Sequence, residues 1–157
     1  MPNSKLNIGC GVKPLKGYTN LDIIPHKGVD ILCNIELGIP LPDEEYDEVL
    51  AEYVLCQICS PKTFMSVMND IHRILKPNGI LKLKVPDANF PDSFNDPMDC
   101  RYFTPATFDY FDKDHYRYKA FGYGFKPWKV LKIEHIGNQA NPENKTRLYV
   151  EMKKEGD

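Results

Sequence analysis

The feature that most constrains this chain is a short apolar run that ends in two glycines near the N-terminus. The run Leu6-Asn7-Ile8 leads directly into Gly9-Cys10-Gly11, and a short apolar run that stops at a turn signal is typical of a buried strand. Glycine lacks a Cβ and adopts positive φ, so it lets the backbone turn sharply and approach a ligand closely. The segment therefore predicts a buried first strand followed by a tight turn that faces a ligand.

A carboxylate follows this glycine turn at the end of a second apolar segment. Asp22 stands 11 residues after Gly11, and an acid that closes the second strand of an α/β fold accepts hydrogen bonds from a ribose. The turn and the acid together indicate a nucleoside-containing cofactor that lies across the ends of parallel strands. A dinucleotide is disfavoured, because its fingerprint requires glycine or alanine where Pro14 stands and an acid about 20 residues on. The alternative for Asp22 is a cap on the turn that begins at Ile24-Pro25.

Size and composition narrow the class of protein. With 157 residues, 42% of them hydrophobic and 27% charged, the chain has the size of one globular domain, which we place at residues 1–157. The net charge of −2 gives no general attraction to nucleic acid or to an anionic membrane, and no apolar stretch reaches transmembrane length. Five cysteines without a secretory signal predict reduced thiols and a cytoplasmic location.

Later segments predict further strands and one long helix. Ser60-Pro61 combines a capping hydroxyl with proline at the first helical position, and apolar residues then recur at helical spacing as far as Leu75. In the strand predicted over residues 80–85, lysines alternate with apolar residues, so one face is not deeply buried or the lysine stems extend to water. Residues 12–19 are too few for a full crossover helix. Residues 129–136 and 147–152 predict a terminal hairpin around an Asn-rich turn.

The ordered series of these motifs resembles the class I S-adenosylmethionine-dependent methyltransferases, and most closely their small type 11-like members. The resemblance rests on the glycine turn, on Asn20-Leu21-Asp22, on the acidic loop and strand over residues 41–51, and on residues 74–81. It covers residues 5–87 well and the terminal hairpin loosely. It implies a Rossmann-like α/β three-layer sandwich. The sheet would be seven-stranded and mostly parallel with an antiparallel edge strand, and the N-terminal helices and first crossover helix would be reduced.

The resemblance also implies S-adenosylmethionine as the cofactor, bound at the carboxyl ends of the strands. We expect no metal. The glycine turn would approach the methionine part and the ribose, and Asp22 would hold the ribose hydroxyls. Ile23 would pack on the adenine, whose edge Asn34 and Ile35 would meet, while Glu52 and Tyr53 would face the methionine end. The residues expected to contact the cofactor are Asn7, Gly9, Cys10, Gly11, Asp22, Ile23, Asn34, Ile35, Glu52 and Tyr53.

Methyl transfer requires alignment of the reactants more than a catalytic triad. If a proton must be removed, Asp87 at the end of the fifth strand is the first candidate base, and Tyr102 and His115 follow it. The alternatives are that Asp87 caps the following turn and that His115 lies in a solvated loop.

The stretch Val54-Leu55-Cys56-Gln57 departs from the Val-Leu-Glu-His pattern of the family. It overlaps the spaced pair Cys56 and Cys59. A zinc site is disfavoured against an ordinary thiol pair, because two further ligands at similar spacing do not appear.

Residues 89–128 form an aromatic-rich segment on the substrate side or at an interface. Residues 102–128 hold 11 of the chain's 18 aromatic residues, interleaved with basic ones, a pattern that stacks bases and meets phosphates. We favour instead a core beneath a long loop, together with an interface.

From the resemblance we expect a methyltransferase that acts on a small molecule or a saccharide. We expect it to be a homo-oligomer, with nucleic acid the less favoured partner. The alternatives are a cofactor-binding or interaction module without methyl transfer, and an RNA-binding protein that uses this segment.

Overall fold

The computed structural model describes residues 4–138 and 146–157. Seven strands and six helical segments follow one another along these residues. The strands are β1 (Lys5–Ile8), β2 (Thr19–Asp22), β3 (Ile31–Leu32), β4 (Tyr46–Glu52), β5 (Leu75–Pro86), β6 (Trp128–Ile136) and β7 (Arg147–Lys154). The α-helices are α1 (Pro61–Ile74) and α2 (Tyr116–Phe121), and the 3-10 helices span Ile35–Leu37, Leu55–Gln57, Pro91–Phe94 and Pro105–Tyr110.

All seven strands form one sheet in the order β3-β2-β1-β4-β5-β7-β6. The first five strands pair in parallel, and β7 runs antiparallel to both of its neighbours. The predicted mostly parallel seven-stranded sheet is confirmed, and its reversed strand is β7, with β6 outermost. The predicted Asn-rich turn between β6 and β7 lies outside the described residues. The chain moves outward from β1 to β3 and then returns to β4, so the strand order reverses beside β1.

One face of the sheet carries the hydrophobic core. Side chains that alternate along β1, β4, β5 and β7 are at most 1% exposed on this face; they are Leu6, Ile8, Val49, Ala51, Leu81, Leu83, Val85, Leu148, Val150 and Met152. The apolar side of α1 packs into the same core. As predicted, Ser60 caps this helix, accepting a hydrogen bond from the Thr63 N–H at 3.3 Å, and proline occupies the first turn.

The opposite face of the sheet bears paired charges. Glu48 on β4 accepts a hydrogen bond from Lys82 on β5 at 3.0 Å and another from the Tyr18 hydroxyl, and Lys84 pairs with Glu52 at 3.3 Å. These residues alternate with the buried ones, so they project to the other face. Residues 9–18 form turns without a helix between β1 and β2. The first crossover helix was predicted to be reduced, and in the described part of the chain it is absent. This face of the sheet carries charged side chains where the three-layer arrangement has helices.

The aromatic-rich segment supplies a second part of the core. Phe103, Phe108, Phe111 and Trp128 are buried, and Phe64 of α1 lies 6.1–6.2 Å from the rings of two of them. This arrangement agrees with the interpretation of these rings as a core beneath a long loop. None of the helices in the described ranges has the length and apolar character that a membrane span requires.

A disulfide shows that the prediction of reduced thiols was wrong. Cys59 and Cys100 are bonded, with their Cα atoms 5.4 Å apart, and the other three cysteines are free. The two residues are 41 positions apart in sequence, and they meet only because the segment after β5 folds back over Leu55–Gln57. The N–H groups of Cys100 and Arg101 both donate to the carbonyl oxygen of Cys56 at 3.0 Å, which holds the two segments together.

We expect three reactive thiols in the denatured, unreduced protein and five after reduction. The substitution Cys100→Ser should lower the free energy of unfolding by about 2–4 kcal/mol, because a cross-link across a loop of this length restricts the unfolded chain. Thiol titration in denaturant and urea unfolding measure the two effects. The control is Cys33→Ser, which removes a free thiol and opens no loop. Five reactive thiols before reduction would contradict the disulfide.

Candidate functional site

A cavity of about 370 Å³ opens at the carboxyl ends of β1, β2 and β4. It lies where the strand order reverses, which is where ligands bind in open α/β sheets. We call it the cofactor cavity. Seven of the ten residues predicted to contact the cofactor line it, namely Gly9, Gly11, Asp22, Ile23, Asn34, Ile35 and Tyr53.

The glycine turn forms one wall of the cofactor cavity in a conformation that glycine permits. Gly9 and Gly11 have φ of 68° and 54°, in the left-handed region that residues with a Cβ rarely adopt. A Cβ on Gly9 would lie 2.2 Å from Cγ2 of Val54. The N–H groups of Gly9 and Cys10 both donate to the Leu21 carbonyl, at 2.8 and 3.1 Å. The turn is therefore fixed against β2 and leaves the cavity open.

Asp22 holds the turns that follow β1 and β2. It is 8% exposed, its Oδ2 accepts a hydrogen bond from the Gly11 N–H at 2.7 Å, and its Oδ1 accepts one from the Ile24 N–H at 2.9 Å. Asp22 therefore caps the turn at Ile24, as the alternative interpretation has it, and also lines the cavity. A carboxylate has about four lone-pair sites, so two backbone donors leave capacity for ligand hydroxyls.

Two further predicted residues lie at the far side of the cofactor cavity. Ile23 is 58% exposed and offers an apolar surface to a ring. The side-chain oxygen of Asn34 accepts a hydrogen bond from the Glu36 N–H at 3.1 Å and so caps the 3-10 helix that begins at Ile35. This cap fixes the local conformation of the loop after β3, which lines the cavity.

Three predicted residues do not line the cofactor cavity. Asn7 is buried and donates to the side-chain oxygen of Asn20 at 3.1 Å. Cys10 is buried in the turn, where burial raises the pKa of its thiol. Glu52 pairs with Lys84 on the charged face of the sheet. Asn7 lies on β1 next to the lining residue Ile8, so its side chain points to the other face of the sheet. All three side chains serve the scaffold.

Nine further residues line the cofactor cavity and are not among the predicted ones: Ile8, Leu21, Ile24, His26, Cys33, Glu36, Val54, Gln57 and Ile58. Most of them follow a strand end by a few residues, which is the signal that could have identified them. Gln57 belongs to the stretch that departs from the family pattern, and it nevertheless occupies a wall of the cavity.

A second cavity of about 240 Å³ adjoins the first and shares Tyr53 with it. Tyr53 has a φ of 57°, rare for a residue with a side chain, and its N–H donates to the Lys84 carbonyl at 2.8 Å. It is 37% exposed. Burial raises the pKa of its phenol, so the hydroxyl is neutral at physiological pH and can donate a hydrogen bond.

The second cavity is acidic, and we call it the acidic cavity. Its charged lining consists of Asp92, Asp96, Asp99 and Arg147. Oδ2 of Asp92 accepts a hydrogen bond from the Thr146 N–H at 2.7 Å. Oδ1 of Asp92 and Oδ1 of Asp99 are buried without a hydrogen-bond partner among the described residues.

Two further groups, a hydroxyl and a thiol, lie at or near the wall of the acidic cavity. The hydroxyl of Thr146, a residue that is 4% exposed and lines the cavity, is also buried and unpartnered in the described part of the chain. Burial, and after it the Asp99 carboxylate, raises the pKa of the Cys56 thiol. Buried polar atoms normally have partners, so this wall retains unused acceptors. This wall is not among the predicted sites, although Asp92, Asp96 and Asp99 recur in the segment after β5 and are a detectable signal.

The structure does not bring the three candidate bases to either cavity. Asp87 is fully buried, its Oδ2 lies 2.6 Å from Nδ1 of His135, and its Oδ1 accepts a hydrogen bond from the Asn89 N–H at 3.1 Å. It therefore caps the turn after β5, the alternative considered for it. Tyr102 donates to a backbone carbonyl at 3.1 Å, and His115 caps α2. A role for any of them in proton removal stays a prediction. Among the residues that the structure describes, no group of His, Cys, Asp and Glu could hold a metal ion.

Comparison with known proteins identifies the family. A family model described as a methyltransferase domain matches residues 6–83. The tRNA N(3)-cytidine methyltransferase METTL2 of Gallus gallus is 40% identical over 53 residues. That match spans 34% of this chain and 14% of the relative.

Solved structures share the whole fold. A SAM-dependent methyltransferase from Methanosarcina mazei superposes with a TM-score of 0.69 at 14% identity, over 99% of this chain and 93% of the other. The 1,6-didemethyltoxoflavin-N1-methyltransferase of Burkholderia thailandensis has bound 1,6-didemethyltoxoflavin and S-adenosylhomocysteine. It superposes with a TM-score of 0.69 at 13% identity, over 99% of this chain and 72% of the other. The predicted family, and S-adenosylmethionine as the cofactor of that family, are confirmed: the chain belongs to the class I S-adenosylmethionine-dependent methyltransferases.

Proposed function

We propose that this chain binds S-adenosylmethionine in the cofactor cavity and transfers its methyl group to an acceptor in the acidic cavity. The observation that carries the proposal is the meeting of these two cavities at Tyr53. When bound, the cofactor supplies an electrophilic methyl group on a sulfonium. The chain supplies alignment, which can contribute on the order of 7–11 kcal/mol to lowering a barrier.

The residues of the cofactor cavity fit the parts of the proposed ligand. The open turn at Gly9 and Gly11 admits a ligand close to the backbone. The unused lone pairs of Asp22 match the two adjacent hydroxyls of a ribose. The exposed side chain of Ile23 and the capped loop at Asn34 suit a flat heterocycle.

The charge of the acidic cavity supports a small acceptor that donates hydrogen bonds. Three carboxylates face one arginine, so the lining attracts hydroxyls and amines and repels phosphate. This supports the small-molecule or saccharide acceptor over nucleic acid at this cavity. A hydroxyl or amine nucleophile loses a proton when it gains the methyl group. The Asp99 carboxylate, which lines this cavity, is the acceptor that we propose for that proton.

A cofactor-binding module without methyl transfer is the second candidate function. The observation in its favour is that Asp87, the first candidate base, is already in contact with His135. Its carboxylate is therefore engaged within the protein. Saturable binding of the cofactor with no turnover on any acceptor would favour this module. The cytoplasmic location and the homo-oligomer stay predictions.

The substitution Asp22→Asn should weaken binding of S-adenosylhomocysteine by ten-fold or more. Asparagine offers one acceptor oxygen and no charge, and loss of a hydrogen bond to a charged group costs about 1.5–3 kcal/mol. Isothermal titration calorimetry measures this affinity. Urea unfolding without ligand should show a loss of about 1–3 kcal/mol as well, because a backbone donor loses its partner.

The control for this variant is Asp114→Asn, which removes an exposed carboxylate that pairs with Lys129 outside both cavities. It should leave the affinity for S-adenosylhomocysteine unchanged. An unchanged affinity in Asp22→Asn, even with lowered stability, would restrict Asp22 to its capping role and contradict the proposed site.

The substitution Asp99→Asn should lower turnover by about 10²–10⁴-fold, the usual contribution of a positioned general base. Release of S-adenosylhomocysteine is measured with a panel of amines, alcohols and saccharides. The affinity for S-adenosylhomocysteine should not change, because Asp99 lies outside the cofactor cavity. Asp43→Asn, an exposed carboxylate paired with Arg73, is the control. Equal turnover in Asp99→Asn and the unaltered protein would refute the assignment of the base.

A further inference from the structure

Two adjoining cavities lie among the aromatic residues, apart from the cofactor cavity and the acidic cavity. Their volumes are about 420 and 310 Å³, and they share Tyr110, Tyr123 and Phe125 as a common wall. We call them together the aromatic cleft. The larger volume lies in the range of about 300–1,000 Å³ that is typical of small-molecule sites.

Stacked rings form the shared wall of the aromatic cleft. The rings of Tyr110 and Tyr123 lie 5.9 Å apart at an interplanar angle of 18°, and those of Phe121 and Tyr123 lie 5.6 Å apart at 19°. Tyr123 is 58% exposed, so its ring is accessible to a ligand. An accessible aromatic ring of this kind stacks nucleic-acid bases regardless of their sequence.

The charged residues that line the aromatic cleft are all cationic. They are Lys62, Arg101, Arg117 and Lys119, and the described lining residues include no aspartate or glutamate. Arg117 pairs with Asp109 at 3.1 Å, and Arg101 donates to the Ile58 carbonyl at 3.0 Å. The ammonium groups of Lys62 and Lys119 are exposed and make no hydrogen bond or ion pair to a described residue. They are available to an anion, in a chain whose net charge is −2.

We propose that the aromatic cleft is a nucleotide-binding site, in which the base stacks on Tyr123 and the phosphate pairs with Lys62. Flat apolar rings beside unpaired cations are complementary to a base that carries a phosphate. A second copy of this chain is a poorer occupant, because a two-fold interface places the same patch on both sides. Four cations would then face four cations.

The test is a titration with uridine monophosphate in the presence of saturating S-adenosylhomocysteine, so that the cofactor cavity is filled. The substitution Tyr123→Ala should weaken binding by about 5- to 150-fold, the effect of losing one base–aromatic stack. Lys62→Ala should also weaken binding and make it less dependent on salt, because one phosphate contact is lost. Matched controls are Phe94→Ala and Lys16→Ala, which remove an exposed ring and an exposed lysine outside the cleft. Neither control should change the affinity.

A free nucleotide and a segment of single-stranded RNA both offer a base and a phosphate, and a uridine hexanucleotide distinguishes between them. Equal affinity for the monophosphate and the hexanucleotide indicates a free nucleotide. Binding of the hexanucleotide that is at least ten-fold tighter, and that Lys119→Ala reduces, indicates a segment of single-stranded RNA.

Three results would overturn the proposal. The first is the absence of saturable uridine monophosphate binding, or binding that Tyr123→Ala leaves unchanged. The second is loss of uridine monophosphate binding in Asp22→Asn when S-adenosylhomocysteine is omitted, which would place the nucleotide in the cofactor cavity. The third is a dimer in sedimentation that Tyr123→Ala converts to monomer, which would make the cleft a self-interface. No step depends on methyl transfer, so the proposal fails or stands independently of the proposed activity.

Discussion

The site depends on the contact of the Asp22 carboxylate with two backbone N–H groups. One oxygen holds Gly11, in the turn after β1, and the other holds Ile24, in the turn after β2. The residues between these strands form turns rather than a crossover helix, so Asp22 and the hydrogen bonds of Gly9 and Cys10 to the Leu21 carbonyl hold the two turns together. A charge-assisted hydrogen bond is about twice as strong as a neutral one. One carboxylate therefore shapes the cofactor cavity and remains available to a ligand within it.

The sheet has two faces of different chemistry, and each has its own consequence. The face that packs against α1 buries continuous apolar rows and contributes hydrophobic stabilisation, since burial is worth roughly 25 cal/mol per Å² of apolar surface. The other face carries Glu48, Lys82 and Lys84 in pairs, and partly exposed ion pairs contribute little individually. These pairs keep this side of the sheet polar, which avoids the exposed apolar area that promotes association.

The segment after β5 separates two cavities of opposite charge. Asp99 lines the acidic cavity and Arg101 lines the aromatic cleft, only two residues further along. The disulfide at Cys100, between them, holds this segment to the loop after β4. That loop in turn supplies Gln57 and Ile58 to the cofactor cavity. The segment after β5, anchored by this disulfide, thus lies next to all three proposed binding sites: those for the cofactor, the acceptor and the nucleotide.

Local patterns in the sequence determined the glycine turn, the cap of α1, the lysines on one face of β5 and the position of Asp22. Each is encoded within a few residues, where backbone preference and periodicity act directly. Only the tertiary structure decided which strand-end residues face the cavity, so that Asn7 and Glu52 turn away while Gln57 lines it. The same holds for the Cys59–Cys100 disulfide and the contact of Asp87 with His135, which join residues 41 and 48 positions apart. Such pairs depend on how separate loops fold over the sheet, and a local sequence pattern does not encode contacts between distant segments.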